Sequence, residues 1–565
     1  MAVSGIRAVL ELLSAAGVRH IFGNPGTTEL PLSDELVGDD RFRYVLGLQE
    51  VPVVAMADGY ASASGRLGVV NLHISCGLGN GMGMLYNAFR AGTPLLVTAG
   101  QQDRRLRFEE PILSSDMVRV ARPWTKWSVE VDRVEDLPSA VRRAIQTALT
   151  PPTGPVFLSI PVDVQRETAE LDLTPPRPLD TRVRPPLAAL QQAAELLAAA
   201  RNPGILVGSR VAERDAIGEL ASVAERLGAP AISESGTTHG RLGFPADHRL
   251  YGQCLPLWSP EVRQRLEEFD VLLVVGMDLL RQYIYHEPSR TVPEHVRLVH
   301  LDEDPWQLGK NYPVEVGLIG DTKSGLAELD SVLADVMSPE QSQAARQRGD
   351  VRARQHAEIR KALEVKLGEQ RDVRPLTPLG FMSAIARGLP DDVAVVEEAV
   401  TTTNTYLERL GALKDPKGYF AHRGWALGWG LGCALGVKLA WPDRPVLALL
   451  GEGAAMYGIQ GLWTAAHYRL PVTFVIANNA QYQILKIGAK GMGLPAAVAG
   501  KFLGMDLTEP EIDFVALARS LGVDATCVEE PDQLTALLSD CLSGDRPRLI
   551  DVLIARSTPD RMNYG

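Results

Sequence analysis

Ten short apolar runs recur along this chain, each separated from the next by a stretch with helical patterning, and that rhythm admits little other than parallel sheets covered by helices. The runs occupy residues 69–73, 95–99, 156–160, 205–208, 271–276, 298–301, 393–396, 446–450, 472–476 and 549–553. Two stretches break the alternation. Residues 174–186, TPPRPLDTRVRPP, are proline-rich and read as an extended linker, and residues 338–378 are highly charged with a helical look and no strand. Cutting there predicts an α/β chain of three similar-sized domains, residues 1–175, 187–337 and 375–565. A chain of 565 residues is in any case too long for one ordinary core.

Charge and composition narrow the partners. A formal net charge of -12 argues against a nucleic-acid footprint or a basic membrane-binding face, so small molecules and further copies of the chain are the expected partners. The cysteines at 76, 254, 433, 527 and 541 follow no metal-ligand spacing and suggest no disulfide framework, which suits a reducing cytoplasm. The first twenty residues carry Arg7 and Glu11 inside an apolar pattern, as an amphipathic helix does and a signal peptide does not. The longest apolar run, 271–280, is too short to cross a membrane and contains Asp278.

Polar clusters stand where strands are expected to end. Gly451-Glu452-Gly453 follows one such run and Asn478-Asn479 follows another, and ligands of open α/β sheets bind at the carboxyl ends of strands. A hard cation such as Mg²⁺ prefers about six oxygen ligands, and Glu452, Asn479 and a loop carbonyl at Gln481 could supply several.

Longer strings carry a family resemblance. FGNPGTTELP at 22–31, LGLQE ending at Glu50, ADGYA at 57–61, NLHISCGLGNGMGML at 71–85, TPLLVTAGQQ at 93–102, GPVFLSIPVD at 154–163 and IDFVALARSLGV at 512–523 follow one another in order. Together with the Gly-Glu-Gly and Asn-Asn clusters, they resemble the thiamine-diphosphate-dependent decarboxylase and carboligase superfamily, in wording nearest its benzoylformate decarboxylases. The resemblance implies a first domain that binds the pyrimidine, an accessory middle domain, and a last domain that binds diphosphate and Mg²⁺. It implies that Glu50 meets a pyrimidine nitrogen, that His73 exchanges protons with substrate, that Thr27 touches the substrate carboxylate, and that Leu427 is the wedge between the cofactor rings. Asn24, Pro25, Gly26, Thr401, Thr402, Gly451, Gly453, Ala454 and Tyr482 fall at cofactor-facing positions, and Glu452, Asn479 and Gln481 at the metal.

Departures from the family pattern are equally specific. The usual GDG is GEG here, and the added methylene shifts the carboxylate by roughly 1 Å in a site that wants octahedral geometry. The family's second histidine aligns with Tyr283, with His286 three residues on; Ile484 and Leu485 replace a smaller pair, and Gly488 an aromatic residue. Gly208 and Gly276 in the middle domain form no GxGxxG string, so no flavin is expected. The implied activity is non-oxidative decarboxylation of a 2-oxo acid by a homodimer or homotetramer. The rivals are an acetolactate-synthase-like carboligase and a catalytically impaired structural or regulatory subunit.

Overall fold

The computed structural model describes residues 2–177, 179–234, 240–281, 287, 290–403 and 405–559. An amphipathic helix α1 (Gly5–Ala15), capped by the Ser4 side chain, opens the chain and buries Ile6, Val9, Leu10 and Leu13. The first sheet contains β1 (His20–Gly23), β2 (Arg43–Leu46), β3 (Gly68–Leu72), β4 (Leu95–Gln101), β5 (Trp127–Glu130) and β6 (Val156–Pro161), in the spatial order 2-1-3-4-6-5. The central sheet contains β7 (Pro203–Val207), β8 (Ala231–Ser233), β9 (Tyr251–Cys254), β10 (Val271–Val275), β11 (Arg297–Asp302) and β12 (Val316–Ile319), in the order 9-8-7-10-11-12. The last contains β13 (Ala394–Glu398), β14 (Tyr419–Ala421), β15 (Val446–Gly451), β16 (Val472–Asn478), β17 (Asp524–Val528) and β18 (Arg548–Leu553), in the order 14-13-15-16-18-17. Every neighbouring pair in the three sheets is parallel. The first and last sheets share one winding, a repeat that the sequence does not display.

All ten expected strands are present, with ends moved by at most two residues. Eight further strands of the three sheets carry no continuous apolar run, and six of these are the sheets' edges; Val3–Ser4 and Thr168–Ala169 form a separate antiparallel pair. An edge strand is covered on fewer sides, so its residues alternate or stay half-exposed, as in Val316–Ile319, where buried and exposed residues alternate, and Trp127–Glu130, where none is fully buried. The charged stretch is one helix of 32 residues, Pro339–Gln370, started by a capping box of Ser338 and Gln341. No described helix is long and apolar enough to cross a membrane.

Two helices lock the first and last sheets together, α2 (Glu50–Ser64) of the first unit and α4 (Trp429–Ala440) of the last; α3 (Ile74–Ala91) also belongs to the first unit. Along α2 and α4 the crossing is faced with glycine. A Cβ at Gly59 would lie 2.2 Å from the Cys433 carbonyl oxygen, one at Gly432 2.7 Å from that of Pro52, and one at Gly436 1.9 Å from that of Met56. Trp429 Nε1 closes the contact with a 2.7 Å hydrogen bond to Asp58, a carboxylate only 2 % exposed that also accepts from Thr93. We expect Gly436→Ala to lower the unfolding midpoint, by the equivalent of about 1–3 kcal/mol for overpacking. Gly368→Ala, in the last turn of the long charged helix with no atom within 4 Å of its added Cβ, should raise it, since alanine is the better helix former by up to about 1 kcal/mol. Denaturant melts of the two variants, read by circular dichroism, check the opposite signs.

Candidate active site

Two groups of polar side chains collect at strand ends. In the first, Glu50 begins α2 and is 5 % exposed; its Oε1 accepts from Asn24 Nδ2 at 3.1 Å and its Oε2 from Asn80 Nδ2 at 3.0 Å. Asn24 follows β1, and Asn80 lies two turns into α3. The glycine-rich face of α3 is what lets the helix come this close, for a Cβ at Gly77 would sit 3.3 Å from Glu50 Oε1 and one at Gly81 3.1 Å from Val54.

His73 stands between β3 and α3, on a turn where Ile74 takes φ +42°. A β-branched residue rarely adopts that conformation, so the turn holds strain directly beside the imidazole. His73 Nδ1 lies 2.6 Å from Glu29 Oε2, while Glu29 Oε1 accepts from the Gly100 amide and the Thr28 hydroxyl, each at 2.8 Å. Glu29 is 1 % exposed and held as an acceptor, so the imidazole donates from Nδ1 and keeps Nε2 for exchange with whatever lies outside.

The second group belongs to the last sheet. The short helix α5 (Glu452–Ala455) starts at the end of β15, and Glu452 Oε1 accepts the Gln481 amide at 2.9 Å while Asn479 Oδ1 accepts the same amide at 3.1 Å. Burial pushes the Glu452 carboxyl up to about 7, against the pull of nearby backbone amides. Gly453 leaves space for the Tyr482 ring, which a Cβ would approach to 2.5 Å. At the end of β13, Glu398 accepts the amides of Gly428, Trp429 and Gly430 at 3.0, 3.0 and 2.9 Å, so one carboxylate caps α4 and fixes the residue after Leu427. Its burial is deep enough to lift its pKa to about 8 despite those donors. Leu427 itself is half-buried.

Comparison with known proteins follows this geometry. Residues 3–115 match the model of the thiamine pyrophosphate enzyme N-terminal TPP binding domain, 190–329 that of the central domain, and 399–552 that of the C-terminal TPP binding domain. A benzoylformate decarboxylase of Pseudomonas aeruginosa is 36% identical over 551 residues, 96% of this chain and 98% of that protein. The chain belongs to the thiamine pyrophosphate enzyme family. The structure of a 4-hydroxybenzoylformate decarboxylase from Rhodococcus jostii superposes with a TM-score of 0.85 at 31% identity, covering 99% of this chain and 100% of that one. A probable acetolactate synthase large subunit of Methanocaldococcus jannaschii is 26% identical over 98% of this chain and 92% of that protein.

Within this thiamine pyrophosphate enzyme, Asn24, Gly26, Glu50 and His73 come together, and so do Gly451, Glu452, Gly453, Ala454, Asn479, Gln481 and Tyr482. Among the described residues no hydrogen bond or ion pair joins the two groups. Thr402 is buried and Thr401 half-buried, while the next hydroxyl, Thr403, is spent on Glu397 and the Ala399 carbonyl. Pro25 and Thr27 are exposed; the hydroxyl that stands 3.4 Å from His73 Nδ1 is that of Thr28. His286 and Tyr283 lie outside the described residues. Glu29 and Asn80 were not singled out from the sequence, although both stand inside quoted strings, two residues after Thr27 and seven after His73.

Gly26 takes on a meaning the string did not convey. A Cβ there would fall 2.0 Å from His73 Nδ1, and its φ of -150° is open to any residue, so the glycine is needed for the imidazole and not for the backbone. We expect Gly26→Ala to dislodge His73 from Glu29 and to lower kcat/KM for decarboxylation at least a hundredfold, within the range of one general acid or base. Its unfolding midpoint should stay near that of the parent; steady-state kinetics beside a thermal melt checks both.

Proposed function

We propose that this chain catalyses non-oxidative decarboxylation of a 2-oxo acid with thiamine diphosphate and Mg²⁺, as its benzoylformate-decarboxylase relatives are named for doing. The observation that carries the reading is Glu50, a buried carboxylate gripped by Asn24 and Asn80, near a His73 whose Nδ1 is tied to Glu29. Thiamine diphosphate, when bound, supplies an electron sink for the bond that breaks as carbon dioxide leaves. Glu50 would hold a proton against the aminopyrimidine, its orientation set by the two amides. His73 would exchange a proton with the substrate through Nε2, Thr27 would meet the substrate carboxylate, and Leu427 would support the bent cofactor. Asn24, Pro25 and Gly26 would border the pyrimidine, and Thr401, Thr402, Gly451, Gly453, Ala454 and Tyr482 the diphosphate.

The donor set at the other group fits a hard cation: Glu452 offers a carboxylate, Asn479 an amide oxygen and Gln481 a carbonyl, and the first two already converge on one amide. A homodimer or homotetramer follows from the same reading. Among the described residues the two groups are not bonded to one another within a chain, and large apolar side chains stay open at the surface, Phe108 at 99 %, Ile112 at 82 % and Leu503 at 94 % exposure. Five free cysteines suit a reducing cytoplasm.

Carboligation is the second reading, favoured by the acetolactate-synthase relatives and by Gly488, a buried position whose added Cβ would meet nothing within 4 Å. Mass-spectrometric product analysis with aromatic and aliphatic 2-oxo acids separates them: free aldehyde supports decarboxylation, an acyloin supports carboligation. Glu50→Gln should reduce turnover to near background while leaving the circular dichroism spectrum unchanged, and undiminished turnover would remove the thiamine reading. For the metal, Glu452→Gln should weaken Mg²⁺-dependent binding of thiamine diphosphate at least tenfold by titration calorimetry; equal affinity would take Glu452 out of the metal site.

A further inference from the structure

Asp278, just past β10 at the carboxyl end of the central sheet, is the common partner of four guanidinium groups. Arg210 approaches it to 2.9 Å, Arg423 to 3.4 Å, Arg281 to 3.6 Å and Arg90 to 3.9 Å, and among the described residues it accepts a side-chain hydrogen bond from Arg210 alone. Arg210 is further satisfied by Asp302 at 2.7 Å. The other three are not. Arg423 is 3 % exposed, yet among the described residues its Nε and Nη2 have no hydrogen-bond partner, and neither do Arg90 Nε and the Nη2 of Arg281, whose Nη1 donates to the Arg423 carbonyl at 3.0 Å. Apart from Asp278, the carboxylate in ion-pair range of Arg423 among the described residues is Glu234, at 3.8 Å.

A buried cation with orphaned donors, as Arg423 is, is costly, and native structures rarely retain one without an ion, a water or a ligand to meet it; Arg281 and Arg90 stand beside it with side chains 22 % and 34 % exposed. A planar fork of N–H donors is also the side chain best matched to a carboxylate or phosphoryl oxygen pair. Each unit of the fold contributes one of the three: Arg90 from the last turn of α3, Arg281 from the loop after β10, and Arg423 from the loop after β14. Arg423 is four residues ahead of Leu427 on one loop, which is tied to α3 by the Ala426 backbone bonds to Asn87 and ends at Gly428, where an added Cβ would lie 3.0 Å from the Val51 side chain beside Glu50. It also lines a cavity of about 130 Å³ with Asn87, Arg214 and Arg241, walled elsewhere by Asp58 and Glu213, a volume sufficient for a small oxyanion.

We propose that Arg90, Arg281 and Arg423 form an anion subsite for a second negative group, a carboxylate, sulfonate or phosphonate, at the far end of the 2-oxo acid. The inference rests on the decarboxylase reading and names the class of substrate that reading leaves open: dianionic 2-oxo acids over neutral-tailed ones. The same oxyanion chemistry could come from a free anion acting as an effector, and the experiment separates the two.

Holoenzyme is assayed with phenylglyoxylate against its para-carboxylate derivative and with 2-oxobutanoate against 2-oxoglutarate, with and without inorganic phosphate. We expect the dianion of each pair to have at least a tenfold higher kcat/KM, phosphate to inhibit competitively, and Arg423→Met to reduce the dianion-to-monoanion ratio at least tenfold, as loss of charge-assisted hydrogen bonds does. Arg423→Lys, which keeps the charge, should recover part of that ratio and guards against a variant that fails to fold. Equal kcat/KM within each pair together with no effect of phosphate overturns the proposal. Noncompetitive phosphate inhibition without dianion preference overturns the assignment to substrate and makes the anion an effector. Should no 2-oxo acid be turned over, the decarboxylase reading fails; calorimetric titration of phosphate into wild type and Arg423→Met then decides the subsite, with equal heats sinking it.

Discussion

The contact on which this structure depends is the glycine-faced crossing of α2 and α4. Three glycines bring the two backbones within carbonyl contact, and Asp58 ties them through Trp429. Any side chain at those positions would hold the first and last sheets apart. Both helices start at residues proposed to serve the site: Glu50 is the first residue of α2, and Leu427 immediately precedes Gly428, the N-cap of α4. Close packing in the core therefore determines where two expected cofactor-facing residues stand, a link from sequence composition to active-site geometry that passes through sterics alone.

Buried carboxylates perform the fine positioning, and on the cofactor side they are held by neutral donors. Glu50 takes two side-chain amides, Glu29 a backbone amide, a hydroxyl and an imidazole, and Glu398 three backbone amides. Such donors satisfy the charge without bringing a cation that would compete with a metal or a cationic ring. The central unit is built in the opposite way. There Arg210 lies between Asp278 and Asp302, at the point where the order of strands reverses between β7 and β10. In open α/β sheets that reversal opens the crevice in which ligands bind. Here a Cβ at Gly208 would lie 2.1 Å from the Gly276 carbonyl oxygen, so the two loops touch.

How far the sequence could be read depended on how local the signal was. Central strands, buried on both faces, show as unbroken apolar runs; edge strands such as Asp524–Val528 mix exposed and buried residues and leave no such trace. His20–Gly23 and Ala231–Ser233, which are not edges, were missed because three or four residues are too few for a pattern. Glu50, His73 and Glu452 were legible because each stands in a short string at a strand end. Thr27 and Thr28 were not separable, since the difference between an exposed hydroxyl and one beside His73 is a single step of a tight turn.

By itself, then, the sequence determined the fold class, the three units and the identity of the residues that carry charge at the strand ends, because apolar period and strand-end polarity are properties of neighbouring residues. Only the tertiary structure decided which partner each of those charges has. Asn24 meets Glu50 across 26 residues, Glu29 meets His73 across 44, and Arg423 meets Asp278 from a different sheet. Those pairings depend on the direction of each Cα–Cβ bond once helices and strands have packed, and no property of a local string encodes that direction.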